Sequence, residues 1–399
     1  MATNNAKKRI LIFSTAYHPF VGGAEVSIKE ITDRLAGLPA QAGDFEFDLI
    51  TAKLQKDLLS VEKIGKITVY RLGIGKTLWD KVFLPFQGVF KVWKLQKTRN
   101  YFCFWTVMVS FAGGAGYICN ILRKLTGKKK IPMVLTLQEG DSESHLNYRR
   151  AGLIDLSWRM ALWQTDILTG LSNFLLQRAY KKGYKGKSVL VPNGVDLSVF
   201  TKEVGQEVKE KIKSQLNKKE GDIFLVTTGR LVHKNANDDV ISALVNLPKN
   251  VHFIIIGKGD LGPKLQKQAN DLGLSDRVKS LGLIPNADLP KYFSVCDIFI
   301  RPSRSEGFGI SFIEAMAAGL PVIATPVGGI VDFIDDKETG IFCSPDNPRS
   351  IADAVTLLLN ESNLREHIRE KAKARVVERY SWSYIAHQMK EIFDKLLTD

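Results

Sequence analysis

The sequence predicts an α/β protein with two domains, each a parallel sheet covered by helices on both faces. The chain has 399 residues, more than one hydrophobic core usually holds. Short apolar segments of strand length alternate with amphipathic segments of helix length, which is typical of doubly wound parallel sheets. The alternation occurs twice, on either side of a turn at Pro192-Asn193-Gly194 and a polar, Lys/Glu-rich stretch at 202–221.

Each predicted strand is a short apolar segment bounded by turn residues. In the first domain these segments lie at 9–14, 45–51, 67–72, 102–109, 132–137, 166–171 and 188–192, and the first helix spans about 24–37. In the second domain they lie at 223–228, 251–256, 278–283, 297–301, 321–324 and 340–343. We therefore place the first domain at 1–195, the second at 196–380 and a final helix at 381–399.

Composition favours a globular protein of a reducing compartment. Hydrophobic residues make up 45% of the chain, and the four cysteines are scattered without a C-x-x-C pair. The six histidines are dispersed as well, so no metal site is predicted. The N-terminus lacks the apolar core of a signal peptide, so we expect a cytoplasmic protein.

One uncharged segment has the length of a membrane span. Residues 104–122 carry no charge over 19 positions. The segment also contains Gly113, Gly114, Gly116 and Asn120, which favour a strand, a glycine-rich turn and a helix.

The excess of positive charge lies entirely in the first half. Residues 1–200 contain 29 Lys and Arg against 15 Asp and Glu, whereas residues 201–399 contain 27 of each. Such a basic face attracts phosphates or anionic lipid, and a solvated basic surface is the alternative.

A segment of this basic half, at 76–99, is also rich in aromatic residues. Its members at a spacing near three or four are Trp79, Phe83, Phe86, Phe90 and Trp93. The proline at position 85 is expected to interrupt a continuous helix here. The segment is either a membrane-surface element or an aromatic stripe packed on the core.

The segment 302–326 is the most informative part of the chain. It combines a glycine-rich loop, the carboxylates Glu306 and Glu314, and a helix that begins near Gly309. Backbone N–H groups of Phe308 to Ser311 would point out of the helix N-terminus, which is a ready anion site. Glu314 lies about one and a half turns into the helix, where it could accept two ribose hydroxyls. The pattern predicts a nucleotide or nucleotide-sugar ligand.

Other glycine-containing loops fall on the same side of their sheets. Gly22-Gly23 follows the first strand of domain one, and Gly229-Arg230 and Gly257-Lys258-Gly259 follow the first two strands of domain two. Ligands of parallel sheets bind beyond the carboxyl ends of the strands. We therefore expect these loops and the Glu306 loop to line one cleft between the domains.

These motifs resemble the retaining glycosyltransferases of family 4, whose GT-B fold has two Rossmann-like domains facing across a cleft. The resemblance covers almost the whole chain. It is carried, in order, by residues 17–25, 191–196, 229–231, 256–259, 302–325 and 379–382. It implies retention of anomeric configuration and a final helix that crosses back to the first domain. Because Arg230, Lys234 and the helix end before Glu314 would supply positive potential to the leaving diphosphate, we expect no metal or other cofactor.

The resemblance implies a role for each site residue. Glu306 would face the donor sugar, Glu314 would hold the ribose, and Arg230 and Lys234 would neutralise the diphosphate. The other donor-binding positions would be Gly22, Gly23, Gly257, Leu283, Ile284, Gly307, Phe308, Gly309, Ile310 and Ser311. Of these, the residues at 283 and 284 would border the base, and those at 22 and 23 would close on the phosphates.

One position in the Gly-Arg motif departs from the family pattern. Many relatives carry the second basic residue five positions after the arginine, where this chain has Asn235. Here Lys234 lies four positions after Arg230, and its long side chain would reach the same region.

A second departure follows the strand at 132–137, where many relatives carry a histidine. This chain has Gln138 there, followed by Glu139 and Asp141. Gln138 could donate a hydrogen bond to a sugar hydroxyl, and either acid could assist proton transfer. His18 and His145 are nearby in sequence, with a structural or a functional role.

The sequence therefore predicts a hexosyltransferase that moves a sugar from a UDP- or GDP-sugar to a saccharide or lipid-linked acceptor of cell-surface glycan or glycolipid synthesis. We expect it in the cytoplasm or bound to the inner face of the membrane. The alternatives are a non-hydrolysing nucleotide-sugar epimerase, which shares the architecture, and a basic membrane- or nucleic-acid-binding protein. No recognised nucleic-acid module occurs, so nucleic acid is not an expected partner.

Overall fold

Alternating strands and helices build two separate sheets in the computed structural model, which describes residues 8–36, 45–109, 111–138 and 153–398. One compact unit comprises Met1–Asn193 and Trp382–Asp399, and the other comprises Gly194–Ser381. The predicted fold class, two α/β units with parallel sheets, is confirmed.

The first unit contains an eight-stranded sheet in the order β3-β4-β2-β1-β5-β6-β7-β8. Its strands are β1 (Lys8–Phe13), β2 (Phe45–Ala52), β3 (Val61–Ile64), β4 (Ile67–Leu72), β5 (Cys103–Val107), β6 (Met133–Leu137), β7 (Ile167–Gly170) and β8 (Lys187–Leu190). All pair in parallel except β3, which runs antiparallel to β4 at the sheet edge. The sequence did not predict β3, because this short edge strand is half-exposed and carries two charges.

The helices described in this part of the chain are α1 (Gly23–Leu35), α2 (Thr77–Leu95), α3 (Ala112–Leu125), α4 (Leu153–Gln164) and α5 (Asn173–Lys181). The uncharged segment 104–122 forms β5 and most of α3, as predicted, but its glycines lie inside α3 rather than in a turn. A Cβ at Gly116 would lie 2.8 Å from the Thr106 side chain, so close helix–strand packing requires a glycine there. No helix of the described residues is long and apolar enough to cross a bilayer.

Helix α2 runs without interruption through Pro85, so the expected break is wrong. Pro85 packs against α3 at Gly114, where a Cβ would lie only 2.9 Å from the proline ring. A Cβ at Gly88 would likewise lie 2.5 Å from Ala115. This close contact between α2 and α3 holds the backbone helical despite the hydrogen bond that proline cannot make.

The second unit contains a six-stranded parallel sheet in the order β11-β10-β9-β12-β13-β14. Its strands are β9 (Ile223–Thr228), β10 (Val251–Ile256), β11 (Val278–Gly282), β12 (Ile298–Arg301), β13 (Val322–Ala324) and β14 (Ile341–Phe342). Its helices are α6 (Leu197–Phe200), α7 (Gln206–Gln215), α8 (Asn237–Ala243), α9 (Gly262–Asp271), α10 (Leu289–Phe293), α11 (Ile310–Ala317), α12 (Pro348–Asn360) and α13 (Ser362–Arg379). Apart from the edge strand β11, the strands are nearly continuous apolar runs, because helices cover both faces of the sheet.

The last helix, α14 (Trp382–Thr398), belongs to the first unit. Its apolar face is buried against the core of that unit, where the Phe393 ring lies 5.6 Å from Trp105 and 5.9 Å from Phe45. These contacts attach the C-terminal end of the chain to the sheet that contains its first strand.

Candidate functional site

The strand order places a topological switch point in each sheet. In the second unit, β9 is flanked by β10 on one side and β12 on the other, so the chain leaves β9 and β12 in opposite directions. Ligands of such sheets bind beyond the carboxyl ends of the strands at this point. Gly229-Arg230 follows β9 and the Glu306 loop follows β12, so both predicted motifs lie at this position.

Arg301, the last residue of β12, organises the Glu306 loop. Its guanidinium Nη2 donates to Glu306 Oε2 at 2.7 Å, and its Nη1 donates to the Ser311 hydroxyl at 2.7 Å. Both charged side chains are largely buried, at 7% and 13% exposure. Sequence reasoning missed Arg301, although a single cation at the end of a buried strand beside the motif was the available signal.

Helix α11 begins at Ile310, and the two residues before it, Phe308 and Gly309, have different structural roles. Gly309 has φ of +100°, and a Cβ there would lie 2.7 Å from the Phe312 ring, so this position requires glycine. The Phe308 side chain is buried against Phe333 and Tyr380, with ring centroids 5.2 and 5.9 Å away. Phe308 therefore anchors the loop by its ring, and only its backbone could contact a ligand.

Glu314 lies one turn into α11 and is almost fully buried. Its Oε1 accepts a hydrogen bond from Nδ2 of Asn286, 2.7 Å away. Burial raises the pKa of Glu314 to about 7, while the Asn286 hydrogen bond and the Arg301 charge act in the opposite direction. A carboxylate of this kind gains from further hydrogen-bond donors, because its burial has removed it from water.

A glycine pair after β13 holds the backbone of the Glu306 loop. The Gly329 N–H donates to the Glu306 carbonyl at 3.1 Å. Gly328 has φ of +57°, and a Cβ there would lie 1.8 Å from the same carbonyl oxygen. This pair was absent from the predicted site, because it lies 22 residues beyond the Glu306 position in sequence and binds through backbone atoms.

The Gly-Arg motif after β9 presents two cations with different exposure. Arg230 is exposed, and Lys234 is half-buried in a short 3-10 turn at His233–Asn235. Asn235 is buried, and its Nδ2 donates to the Arg230 carbonyl at 2.7 Å. Asn235, five positions after Arg230, where many members of the resembled family have a basic residue, therefore fixes the loop. Lys234 is the second cation of the motif.

Arg304 connects this turn to the Glu306 loop. Its guanidinium pairs with Asp238 at 2.9 Å, Asp239 at 2.7 Å and Asp346 at 2.5 Å. Its backbone N–H donates to the Lys234 carbonyl at 2.7 Å. These three salt bridges all belong to Arg304, which was not among the predicted site residues. Together with the backbone hydrogen bond, they fix the loop that carries Lys234.

The remaining predicted positions of the second unit border the same edge of the sheet. Leu283 is exposed and Ile284 half-buried, directly after β11. A Cβ at Gly257, which has φ of +147°, would lie 1.8 Å from the Gly229 carbonyl. Gly257 is therefore needed for the two loops to pass each other, whatever it contributes to a ligand.

In the first unit, the switch point lies between β1 and β5. Gly22 and Gly23 are exposed at the start of α1, and Gln138 lies half-buried directly after β6. His18, in the loop after β1, is half-buried, and burial lowers its pKa below the usual value. The candidates Glu139, Asp141 and His145 lie outside the described residues.

Solved structures share this architecture. The sucrose-phosphate synthase of Thermosynechococcus elongatus, 21% identical, matches over 98% of this chain and 100% of that chain with a TM-score of 0.82. The Anabaena protein HepE in complex with UDP-glucose, 20% identical, matches over 97% and 99% with a TM-score of 0.74. At such identities the likeness establishes the fold, which is GT-B.

The family model matches within the second unit, and curated relatives match between about half and nearly all of the chain. The family model for glycosyl transferases group 1 matches residues 208–375, which contain every predicted site residue of that unit. A GDP-mannose-dependent alpha-(1-6)-phosphatidylinositol monomannoside mannosyltransferase of Mycobacterium tuberculosis is 27% identical over 238 residues, or 57% of this chain and 61% of that protein. This chain spans about half to three fifths of the length of the first relatives, whereas an uncharacterized glycosyltransferase of Methanocaldococcus jannaschii, 22% identical, is matched over 97% of this chain and 98% of that protein.

Proposed function

We propose that this chain is a family-4-type glycosyltransferase that moves a sugar from a nucleoside-diphosphate sugar to a saccharide or lipid-linked acceptor, which its similarity to the glycosyl transferases group 1 supports. The observation that carries the proposal is the buried Glu314 carboxylate in α11, on the sheet edge that also presents Arg230 and Lys234. A ligand with vicinal hydroxyls and a diphosphate satisfies both features.

Two groups of the second unit would bind the donor. The Glu314 carboxylate would accept hydrogen bonds from the two ribose hydroxyls, as it accepts one from the Asn286 amide in this structure. Arg230, Lys234 and the backbone N–H groups at the start of α11 would meet the diphosphate. The UDP-glucose bound to HepE and the GDP-mannose dependence of the mycobacterial relative support a UDP- or GDP-sugar donor.

The chemistry breaks the bond between the sugar C1 and the diphosphate oxygen and forms a bond between C1 and an acceptor oxygen. We propose retention, with the acceptor attacking from the face that the diphosphate leaves and giving its proton to the departing phosphate oxygen. Glu306 is paired with Arg301, which favours a role in holding the donor sugar over a role as nucleophile. Gln138 would bind a sugar hydroxyl from the first unit.

The negative charge that develops on the leaving diphosphate needs a matching positive potential. Arg230, Lys234 and the N-terminus of α11 would supply it, in a site with little water. We therefore propose that transfer proceeds without a metal ion, and activity in the presence of EDTA tests this directly.

The acceptor would be lipid-linked or a saccharide of a cell-surface glycan. The mycobacterial relative acts on a phosphatidylinositol monomannoside, which supports a lipid-linked acceptor. The protein would then act at the inner face of the membrane, to which its basic first half would bind.

A thermal-shift panel of UDP, GDP, ADP and their common sugar conjugates tests the donor site, on wild type and Glu314→Ala. A nucleotide at about a hundred times its dissociation constant should raise stability by about 2.7 kcal/mol. A shift that is selective for one base and lost in the variant identifies the donor. The absence of any shift in folded wild-type protein contradicts the proposal, and formation of an isomeric nucleotide-sugar without acceptor would indicate an epimerase.

A further inference from the structure

The exposed face of α2 carries an unbroken row of aromatic side chains. Its members share one face of the helix, at positions i, i+4, i+7, i+11 and i+14, and are Trp79, Phe83, Phe86, Phe90 and Trp93. Between 44 and 61% of the surface of each is exposed. The interpretation as a stripe packed on the core is therefore wrong, and the row, about 21 Å long, faces outwards.

The opposite face of α2 is buried in the core, so the helix cannot rotate to bury the aromatic row. Leu84, Val92 and Leu95 are buried on the sheet side, and Gly88 lies against Ala115 of α3. The buried and the aromatic faces are therefore both fixed by the fold. A soluble monomer rarely exposes so large a contiguous apolar surface without using it.

The charge around the aromatic row has one sign. Exposed lysines occur along and beside it at Lys76, Lys94 and Lys97. The one acid of the helix, Asp80, is buried and accepts hydrogen bonds from the N–H groups of Ile74 and Gly75 at 2.9 and 2.8 Å. The exposed face of α2 therefore combines aromatic rings with positive charge and carries no carboxylate of its own.

We propose that this face of α2 binds the surface of an anionic lipid bilayer, with its rings in the boundary between headgroups and acyl chains and its lysines among the lipid phosphates. Tryptophan and phenylalanine favour this boundary, and lysines are attracted to anionic headgroups. A second copy of the chain is disfavoured as the occupant, because self-pairing would bring lysines of both copies together. The inference deepens the lipid-linked acceptor of the proposed function by identifying the surface that meets the lipid.

Co-sedimentation with phosphatidylcholine vesicles, with and without phosphatidylglycerol, tests the proposal without any sugar nucleotide. Wild type should bind the anionic vesicles and lose binding as salt is raised. The double variant Phe86→Gln, Phe90→Gln should bind about tenfold more weakly or worse, because two rings no longer leave water. Its matched control is Val245→Ser, Leu272→Ser, which removes exposed apolar groups from the second unit and should bind like wild type.

A second pair of variants separates charge from apolar contact. Lys76→Gln, Lys94→Gln should lower affinity for anionic vesicles about tenfold, whereas Lys211→Gln, Lys264→Gln on the second unit should not. Vesicles with brominated acyl chains should quench tryptophan fluorescence, and Trp79→Phe, Trp93→Phe should remove most of the quenching while binding persists. This readout locates the contact at α2 itself.

Three results would overturn the proposal. They are wild-type protein that stays in the supernatant with anionic vesicles, binding that survives the Phe86 and Phe90 changes, and a dimer in solution that only those changes dissociate. The nucleotide thermal shift is measured on the same samples and should be equal in all variants. A failure of bilayer binding with an intact shift would therefore leave the donor site standing.

Discussion

Arg301 and Glu306 form an ion pair at 2.7 Å between the end of β12 and the loop that follows it. The same guanidinium binds the Ser311 hydroxyl in the first turn of α11, so one side chain connects the strand, the loop and the helix. The conformation of the Glu306 loop is thus fixed by contacts within the protein. Any role of Glu306 toward a sugar depends on this arrangement.

Replacement of Arg301 by methionine should destabilise the protein by about 3 kcal/mol or more, because it leaves a largely buried Glu306 without its partner. Urea denaturation of R301M, E306Q and the double variant measures the coupling between the two residues. We expect the double variant to lose less stability than the sum of the single changes. Additive losses would show that the pair does not act as a unit.

Lys234 and Asn235 should respond differently to substitution, although they are neighbours. Lys234→Gln should leave stability within about 0.5 kcal/mol and lower kcat by about a hundredfold, because its charge is needed most as negative charge develops on the leaving diphosphate. Asn235→Ala should lower stability by about 1–2 kcal/mol, because the Arg230 carbonyl loses its buried donor. Lys211→Gln is the control for a lost surface charge, and a large loss of stability in Lys234→Gln would contradict this division.

This division shows where sequence reasoning reached its limit. The strands and their alternation with helices were predictable, because apolar runs such as the one at Ile10 to Phe13 must be buried. The loops with Gly229, Gly257 and Glu306 could be placed on one edge of a sheet from strand direction alone. The pattern could not show that Asn235 binds the Arg230 backbone, because that contact depends on the path of the loop.

The residues that hold the loops of the site in place were not predicted, for a similar reason. Arg301, Arg304 and Gly328 act through contacts with residues that are 5 to 66 positions away in sequence or that offer only backbone atoms. The sequence could not predict that the aromatic face of α2 is exposed either, because a buried aromatic stripe has the same spacing. Only the packing of α2 on α3 at Gly88 and Gly114 decides which face points outwards.

The raised pKa of Glu314 should give the proposed nucleotide binding a defined pH dependence. Burial raises this pKa from 4.5 to about 7, so in the ligand-free protein the carboxyl adds most to stability below pH 4.5 and loses that contribution as pH rises through 7. Two ribose hydroxyls bind the ionised form best, since a protonated carboxyl has fewer acceptor sites. Nucleotide affinity should therefore rise with pH up to about 7 and level off above it.

Calorimetric titration of the preferred nucleoside diphosphate between pH 5.5 and 8 measures this dependence. We expect affinity to fall by up to about tenfold per pH unit below 7 in wild type, after correction for ionisation of the phosphate itself. Glu314→Gln should bind more weakly, with only the phosphate's own dependence remaining. Equal slopes in the two proteins would remove Glu314 from the ribose site.

Gly328→Ala should be strongly destabilising. The clash of the new Cβ can be separated from the cost of placing an alanine in a left-handed backbone conformation. The new Cβ would lie 1.8 Å from the Glu306 carbonyl oxygen, so the loop must move or the glycine pair must release it. Gly221→Ala is the matched control, because Gly221 also has a positive φ, of +81°, but no atom lies within 4 Å of the added group. The control should cost about 1–2 kcal/mol, as a left-handed alanine does. Denaturation should show a clearly larger loss for Gly328→Ala, together with loss of the nucleotide thermal shift, whereas equal losses would mean that Gly328 does not support the Glu306 loop.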